Sequence, residues 1–382
     1  MQLSLELEYW TIDSTGALAP ATPVLDRIDD LDAESADPLL EVVTDPCDGV
    51  AELEAEVTAR LREAIDVARE EDRRLVPLST PLNAGSISTS DGPRTEIQRR
   101  VLGERFADAT RCAGTHLHID QIAGAETDQL NLLTALDPAF ALVASSGHHR
   151  GEAVANCARP HVYRRGCYGD HPELGRLRPY VDDTAEWDER VADSFERFRR
   201  EAMAEGVDPA AFEEQFTPED STWTPVRLRE EFGTIEWRAP DVALPGQILR
   251  LVTDVRNAVD SVVDRGLEIG GRPGVTGESV TVPEFDRLQE HTRAAIDDGL
   301  DAPAVSQYLE RMGFDPADYR PIAKECEHVS RLSRERARRL RLRYADRLEW
   351  EVEALSDDVS KRAAVPRSKT QRRVPTVRSR TV

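Results

Sequence analysis

Residues 233–241 read Gly233-Thr-Ile-Glu236-Trp-Arg238-Ala-Pro-Asp241. In a β-strand the side chains of this stretch alternate between two faces, with Thr234, Glu236 and Arg238 on one and Ile235 and Trp237 on the other. A carboxylate beside a guanidinium on the polar face can hold a cation and a phosphate side by side. Taken alone, such a pair is more often an exposed ion pair that contributes little stability.

The same two-faced pattern recurs elsewhere in the chain. Three further stretches set charged or imidazole side chains against an apolar face: residues 3–10 with Glu6 and Glu8, residues 39–44 with Glu41, and residues 112–120 with His116 and His118. Strands with one solvated face are typical of antiparallel sheets. We therefore expect these strands to lie in one sheet and to line a single polar surface.

Helical periodicity separates the strands. Helices are predicted at residues 49–73, 93–110, 126–146, 185–205, 245–267, 283–298, 302–312 and 321–355, and further strands at 75–80, 221–228 and 233–239. The last two strands are spaced as a hairpin. The interpretation is an α+β fold, with a mainly antiparallel, curved sheet whose polar face is open and helices packed on the other face and around it.

The chain has one predicted domain and a tail. Residues 1–358 form the domain, and residues 359–382 carry eight basic side chains and no acidic one, which indicates a disordered basic tail. Within the domain, residues 147–180 lack periodicity. Long irregular segments are often binding loops, so this one is predicted to face the substrate.

The charge is strongly negative, at -23 overall, with 41 basic against 72 acidic residues in residues 1–358. Such a body repels nucleic acid and anionic membranes. Only 3 of the 49 basic residues are lysine. Abundant acid with little lysine indicates a salt-adapted protein, because high salt screens self-repulsion; the alternative is an ordinary acidic protein from a GC-rich genome.

The remaining compositional features indicate a soluble, cytoplasmic protein. The 5 cysteines form no Cys-x-x-Cys pair, so a disulfide framework or zinc ribbon is not expected. The first residues lack the basic and apolar regions of a signal peptide, and the most apolar helix, at residues 130–146, is too interrupted to span a bilayer. The sequence leaves the oligomeric state open, including a homo-oligomer.

The carboxylates predicted to share the sheet face repel one another unless divalent cations neutralise them. Oxygen-rich sets of this kind suit Mg²⁺ or Mn²⁺ rather than Zn²⁺. Magnesium implies phosphate, and Arg238 is placed to neutralise phosphate charge. No P-loop is present, and Gly270-Gly-Arg-Pro-Gly274 follows no clear strand, so any nucleotide must lie on the sheet.

Four motifs resemble those of the type 2 glutamate–cysteine ligases, a carboxylate–amine ligase group related to glutamine synthetase, and the charge resembles a haloarchaeal-type member. They are Leu5-Glu6-Leu7-Glu8-Tyr9, Glu41-Val-Val-Thr44 with Pro46-Cys47, Gly114-Thr-His116-Leu-His118, and Thr234-Ile-Glu236-Trp-Arg238-Ala-Pro-Asp241. Their order and rough spacing match too, and the resemblance covers residues 3 to about 350.

The resemblance implies ATP-dependent ligation of the γ-carboxylate of L-glutamate to the amine of L-cysteine through a γ-glutamyl phosphate. By motif, it implies metal ligands at Glu6, Glu8, Glu41, Glu236 and His116, nucleotide contacts at His116 and Arg238, and catalytic roles for Glu236 and Arg238. In the segment that resembles the family's substrate region, Arg159 is the predicted substrate contact, with Arg150 and Arg164 as rivals. His148-His149 departs from the family pattern, so the amine substrate is the least certain part.

Other interpretations stay open. A metal-dependent hydrolase could use His116 and His118 with Glu236 or Asp241 on zinc or manganese. A ligase for another amine, or an inactive ligand-binding relative, is also compatible with the motifs. Among single residues, His118 could simply bond to Asp120, His148 and His149 are expected to be loop residues, and Cys47 and Cys112 to be small buried side chains.

Overall fold

An antiparallel sheet of seven strands forms the centre of the computed structural model, which describes residues 1–89, 92–326 and 329–364. The strands in these ranges are β1 (Leu3–Ile12), β2 (Leu31–Ala33), β3 (Leu39–Val43), β4 (Arg74–Val76), β5 (Thr115–Asp120), β6 (His148–His149), β7 (Glu152–Ala153), β8 (Val226–Arg229), β9 (Thr234–Trp237), β10 (Leu267–Ile269), β11 (Gly274–Val275) and β12 (Val280–Val282). The main sheet has the order β2-β3-β1-β5-β9-β8.

Strand β1 is the most highly paired strand of this sheet. Its residues 6–10 pair with β3 along one edge. Along the other edge, its residues 3–7 pair with β5 and its residues 10–12 with β4. The strand predicted to carry Glu6 and Glu8 is therefore held on both sides by backbone hydrogen bonds.

Long helices cover the apolar face of the sheet. The helices of the described ranges are α1 (Thr22–Leu25), α2 (Val50–Glu70), α3 (Pro93–Leu102), α4 (Phe106–Ala109), α5 (Glu126–Ala135), α6 (Ala158–His161), α7 (Pro172–Gly175), α8 (Thr184–Ala204), α9 (Pro209–Gln215), α10 (Pro245–Arg265), α11 (Phe285–Asp298), α12 (Pro303–Arg311) and α13 (Arg334–Ala364). Apolar side chains of α2, α5, α10 and α13 join those of β1 in the main core. This confirms the α+β class and the sheet with one polar face.

A second, smaller core lies on the other side of the polar face. Helices α3, α8 and α9 and a π-helical turn at Val162–Cys167 contribute its apolar side chains, among them Phe198 and Phe212. Four of its aromatic rings, those of Phe198, Phe212, Phe216 and Trp223, pack edge to face or tilted. The polar face of the sheet is thus enclosed between two cores.

A strand lies in each predicted range, but several strands are shorter than predicted. Strand β4 ends at Val76 rather than at residue 80, β5 begins at Thr115 rather than at residue 112, and β8 begins at Val226 rather than at residue 221. Several helix boundaries also differ. The helix predicted at 93–110 is broken at Gly103, which has a φ of 63°, and the one predicted at 126–146 ends at Ala135, before Asp137-Pro138. The helix predicted at 321–355 begins only at Arg334, where the Ser333 hydroxyl accepts a hydrogen bond from the Arg336 amide.

The structure differs from the sequence prediction in three other parts of the chain. Helix α13 continues to Ala364, beyond the predicted start of the tail at residue 359, and residues 365–382 lie outside the described residues. The segment predicted to be irregular, 147–180, contains the hairpin β6–β7 and short helical turns. The small sheet of β10, β11 and β12 was not predicted, since its strands have only two or three residues.

Two compositional predictions concern the described ranges. The cysteines whose side chains are described there, Cys47, Cys112, Cys157 and Cys167, are all free and buried. Among the helices of the described ranges, none combines the length and the apolar character that crossing a bilayer requires.

Candidate active site

The polar face of the sheet carries its charged side chains in register. Across the pairing of β3 with β1, Glu41 lies opposite Glu8, and across the pairing of β1 with β5, Glu6 lies opposite His116. Because directly opposed residues of antiparallel strands have adjacent side chains, three carboxylates and an imidazole are brought together by backbone pairing alone.

Residues 233–241 add further charged side chains to this polar face. Glu236 on β9 lies opposite His118 on β5 and, on its other side, opposite Arg227 on β8. Arg227 Nε lies 2.5 Å from Glu236 Oε2. Arg238 donates a short hydrogen bond to the other carboxylate oxygen of Glu236. The pair predicted from the sequence is therefore a buried cluster rather than a surface ion pair.

His116 lies at the centre of this polar floor. Its Nδ1 atom is 2.6 Å from Glu6 Oε2, 3.8 Å from Glu236 Oε1 and 3.9 Å from Glu41 Oε1. Its Nε2 atom lies 3.4 Å from Glu8 Oε1 and makes no hydrogen bond, although it is buried. The structure thus brings together all five predicted metal ligands.

The pKa values of the floor carboxylates are shifted in opposite directions, because nearby cationic groups outweigh burial at some of them and not at others. Burial and the neighbouring carboxylates raise the pKa of Glu41 to about 10 and that of Glu34 to about 8. For Glu236, burial acts in the same direction, but Arg238 and Arg227 outweigh it and hold the pKa well below the ordinary value. Burial, with Arg238, lowers the pKa of His116, which keeps the imidazole neutral and able to act as a ligand.

These residues fit divalent cations. Three groups of ligand atoms lie within coordinating distance of one another: Glu6, Glu41 and His116; Glu6, His118 and Glu236; and Glu8, Glu34 and Glu41. Two of the carboxylates have pKa values that are raised by burial and by neighbouring carboxylates, and His116 Nε2 is a buried atom without a hydrogen-bond partner. A set dominated by carboxylate oxygens matches the preference of Mg²⁺ and Mn²⁺.

The floor forms one wall of a cavity of about 520 Å³. The opposite wall comes from the smaller core, through Arg94 and Gln98 of α3 and through Tyr163, Tyr168 and Trp223. The rings of Tyr168 and Trp223 stack with centroids 5.6 Å apart. The cavity is large enough for a small polar ligand and combines an acidic floor with a partly aromatic, partly basic wall.

Two predicted arginines line this cavity, Arg159 and Arg238. Arg159 is held in place by the backbone: its Nη1 atom donates to the carbonyl oxygens of Arg238, Ala239 and Pro240 at 3.0, 3.2 and 3.3 Å. The same side chain fills the space beside Gly114, where a Cβ atom would lie 2.2 Å from Arg159 Nη2. The motif glycine is therefore required by the position of Arg159.

The two rival arginines lie elsewhere. Arg150 pairs with Asp108, at 2.7 Å, with its side chain half exposed. Arg164 forms a buried, bidentate pair with Asp137, at 2.7 and 2.8 Å. Neither is among the described residues that line the cavity, so Arg159 is the arginine of the three that the structure places there.

The histidines outside the motif centre have distinct positions. His118 does not bond to Asp120: its Nε2 atom lies 3.2 Å from Glu6 Oε1 and its Nδ1 atom 3.1 Å from Thr234 Oγ1. His148 bonds to the backbone carbonyl of Val329, and His149 to Asp108. Of these three histidines, His118 is the one that joins the floor.

Sequence reasoning missed several residues of the cavity. Glu34 was indistinguishable from the other acidic side chains of the loop at 26–37, and only the pairing of β2 with β3 brings it beside Glu41. Arg227 carried a usable signal, because Val226-Arg227-Leu228 alternates and the hairpin places it opposite Glu236. Tyr163 and Trp223 had no periodic signal, since they come from short irregular elements.

Comparisons with known proteins agree with this geometry. The model of the glutamate–cysteine ligase family 2 matches residues 6–307 of the chain. None of the curated proteins compared with the chain matches it significantly in sequence.

One of the solved structures compared with the chain, a glutamate–cysteine ligase, has a similar fold at low sequence identity. A crystal structure of a glutamate–cysteine ligase from Francisella tularensis in complex with AMP is 12% identical, with a TM-score of 0.56 over 94% of this chain and 92% of that one. A bifunctional glutathione synthetase from Pasteurella multocida is 16% identical, with a TM-score of 0.49 over 95% of this chain; the chain spans 52%, about half, of that enzyme's length. A glutamine synthase homologue has a TM-score of 0.37, with 14% identity over 90% of this chain and 70% of that one.

Proposed function

Because the chain belongs to the glutamate–cysteine ligase family 2, we propose that it joins the γ-carboxylate of L-glutamate to the amine of L-cysteine in an ATP-dependent reaction. The products are γ-glutamylcysteine, ADP and phosphate. Family membership supports a carboxylate–amine ligase, and the choice of cysteine as the amine is the finer part of the proposal.

One observation carries the proposal: Glu6, Glu8, Glu41 and His116 of the floor line one cavity together with Arg159 and Arg238. Glu236 adjoins this group, because its carboxylate contacts both His116 and Arg238. Glu6, Glu8, Glu41, Glu236 and His116 would hold Mg²⁺ or Mn²⁺. When bound, such ions neutralise the phosphate oxygens of ATP. Carboxylates and an imidazole alone would suit cation binding, whereas the guanidinium groups in the same cavity also provide for an anionic substrate.

The chain's own residues have separable roles in this reaction. Arg238, fixed by Glu236, is positioned to neutralise the charge that develops on the phosphoryl group as it moves from ATP to the glutamate γ-carboxylate. Arg159, fixed by three carbonyl oxygens, presents its remaining donors to a substrate carboxylate. The aromatic wall of Tyr168 and Trp223 excludes water, which would otherwise hydrolyse the acyl phosphate before the amine attacks it.

The test is a phosphate-release assay in molar KCl with Mg-ATP, L-glutamate and L-cysteine. We expect release of phosphate and formation of γ-glutamylcysteine only when all components are present. Release with glutamate and a different amine, but not with cysteine, would contradict the cysteine assignment and retain the ligase.

A metal-dependent hydrolase is the second candidate, and metal content separates the two. The hydrolase requires tightly bound stoichiometric Zn²⁺ at His116 and His118, whereas the ligase requires weakly bound Mg²⁺ together with ATP affinity. The position of Asp241 favours the ligase, because its carboxylate accepts a hydrogen bond from the Ser145 amide at 2.9 Å and belongs to none of the groups of possible metal ligands among the described residues.

A further inference from the structure

A second group of metal-ligand side chains lies outside the cavity, between the start of α7 and helix α8. It consists of His171, Glu173 and Glu201, and one ligand atom from each lies within 4.8 Å of the other two. The closest two, His171 Nδ1 and Glu201 Oε2, are 3.0 Å apart. We call this group the α7–α8 cluster.

The three ligand atoms are buried but unsatisfied. His171 Nδ1, Glu173 Oε2 and Glu201 Oε2 each expose almost no surface and make no hydrogen bond. Arg197 Nη1 lies 3.3 Å from Glu173 Oε2, yet it too lacks the geometry of a hydrogen bond to that atom. An ordinary network of ion pairs aligns donors with acceptors, because a buried polar atom without a partner is costly. Here three side chains of one group each carry such an atom, and two of these atoms, His171 Nδ1 and Glu201 Oε2, are 3.0 Å apart.

Coordination of a metal ion explains both the distances and the unsatisfied atoms. With metal–ligand bonds of about 2.0–2.2 Å, neighbouring ligand atoms lie about 3.0–3.4 Å apart and point at the ion rather than along a hydrogen bond. One imidazole with two carboxylates suits a divalent transition ion such as Zn²⁺, whereas Mg²⁺ prefers oxygen ligands alone. We propose that the α7–α8 cluster is a structural site for Zn²⁺ or a similar divalent transition ion.

The position of the site indicates what the ion would do. The His171 amide bonds to the carbonyl of Tyr168, and the carbonyl of Leu174 accepts a hydrogen bond from the Trp223 amide at 2.7 Å. Tyr168 and Trp223 form the aromatic wall of the cavity. An ion bound by His171, Glu173 and Glu201 would tie this short segment to the long helix α8 and so hold the wall in place.

The proposal is tested by measuring Zn²⁺ binding to the full chain by equilibrium dialysis in excess Mg²⁺, with metal analysis. His171→Gln and Glu201→Gln should each lose one equivalent of bound Zn²⁺ or bind it at least about tenfold more weakly. The matched control is Glu196→Gln, an exposed glutamate on the same helix, which should bind as the wild type does. Equal binding by all four proteins would overturn the proposal.

Two additional measurements keep the result interpretable. Melting curves in EDTA establish that each variant is folded, and Zn²⁺ should raise the melting temperature of the wild type and of Glu196→Gln but not of Glu201→Gln. Glu236→Gln, in the floor, should retain the Zn²⁺-induced shift. A shift that is lost in Glu236→Gln and kept in His171→Gln would assign the zinc to the floor and refute the α7–α8 site. Since no readout is enzymatic, the proposed ligase activity can fail independently.

Discussion

The Nε atom of Arg227 lies 2.5 Å from Oε2 of Glu236, and the Glu236 side chain is fully buried while that of Arg227 is only 10% exposed. The two residues are directly opposite each other on β8 and β9. A charge-assisted hydrogen bond in this setting is strong, because little water competes for either group. The orientation of Glu236 is therefore fixed by the hairpin before any ligand binds.

Arg227→Gln should destabilise the fold and misplace Glu236. Removing one partner of a buried pair costs about 3 kcal/mol, and a rotated carboxylate should raise the Mg²⁺ concentration needed for half-maximal activity. Denaturant unfolding and Mg²⁺ titration measure the two effects. The control is Arg229→Gln, because Arg229 lies farther from Glu236, at 3.7 Å, and also pairs with Glu219. Equal losses in both variants would show that Arg227 has no special position.

Glu236→Gln should abolish ATP-dependent ligation while the protein remains folded. The amide keeps the shape of the side chain but loses the charge that holds both Arg238 and a cation, so we expect kcat to fall by about 100-fold or more. Phosphate release and far-UV circular dichroism check this. Glu231→Gln, an exposed change in the turn of the same hairpin, should be as active as the wild type. Retained activity in Glu236→Gln would return this residue to a purely structural role.

Substitution of two of the candidate arginines, Arg159 and Arg150, separates their roles. Arg159→Gln should raise the KM for glutamate or for the amine by at least about tenfold, because a charged hydrogen bond to a substrate carboxylate is lost. Arg150→Gln should change KM by less than about twofold, since this residue forms a half-exposed ion pair with Asp108. Steady-state kinetics with each substrate varied in turn provides the measurement. The reverse order of effects would move the substrate site to the β6–β7 hairpin.

Gly114→Ala should disturb the same site by displacing the side chain of Arg159. The added methyl group would lie 2.5 Å from Arg159 Cζ, so the guanidinium must move. We expect a higher KM for the substrate that Arg159 binds, together with a lower melting temperature. Gly277→Ala is the control, because a Cβ there has no atom within 4 Å. Wild-type kinetics in Gly114→Ala would mean that the position of Arg159 is not critical.

Asp241 should make stability depend on pH. Burial raises the pKa of its carboxyl to about 6 in the folded protein. The folded state therefore binds this proton more tightly than the unfolded state, and the stabilisation is lost as pH rises through about 6. A shift of about two units corresponds to at most about 3 kcal/mol.

Asp241→Asn removes the carboxyl group, so the variant loses the pH dependence of stability that this group causes. The free energy of unfolding of the variant, relative to the wild type, should increase between pH 4.5 and 7.5 by an amount up to that limit. Urea unfolding of both proteins at constant KCl measures the difference between their free energies of unfolding. The contributions of the other acidic groups are common to both proteins and cancel in this difference. A difference that does not change with pH would show that Asp241 is ionised throughout.

The sequence was most informative where the structure depends on local alternation. Glu6, Glu41, His116 and Glu236 could be assigned to one polar face, because each lies in a strand whose opposite face is apolar, and a period of two leaves no ambiguity about faces. Pairing in an antiparallel sheet then brought these faces together. The order of the strands within the sheet was not predicted, because alternation does not identify which strands are neighbours.

The remaining features depend on contacts between distant parts of the chain. Glu34 becomes part of the floor only through the three-residue strand β2, which is too short to have a recognisable pattern. The aromatic wall and the α7–α8 cluster are formed by short helical turns and by α8, which have no common period. The start of α13 depends on a single capping residue, Ser333, within a region rich in other possible starts.

The division of the cavity between two cores has a consequence for how the substrate range can change. The floor is built on β1, which three partner strands hold, so a substitution there alters the metal ligands and the sheet together. The wall belongs to the smaller core and contributes Gln98, Tyr163 and Trp223 without sharing those strands. Substitutions in the wall can therefore change the shape of the cavity while the carboxylates and histidines of the floor are kept.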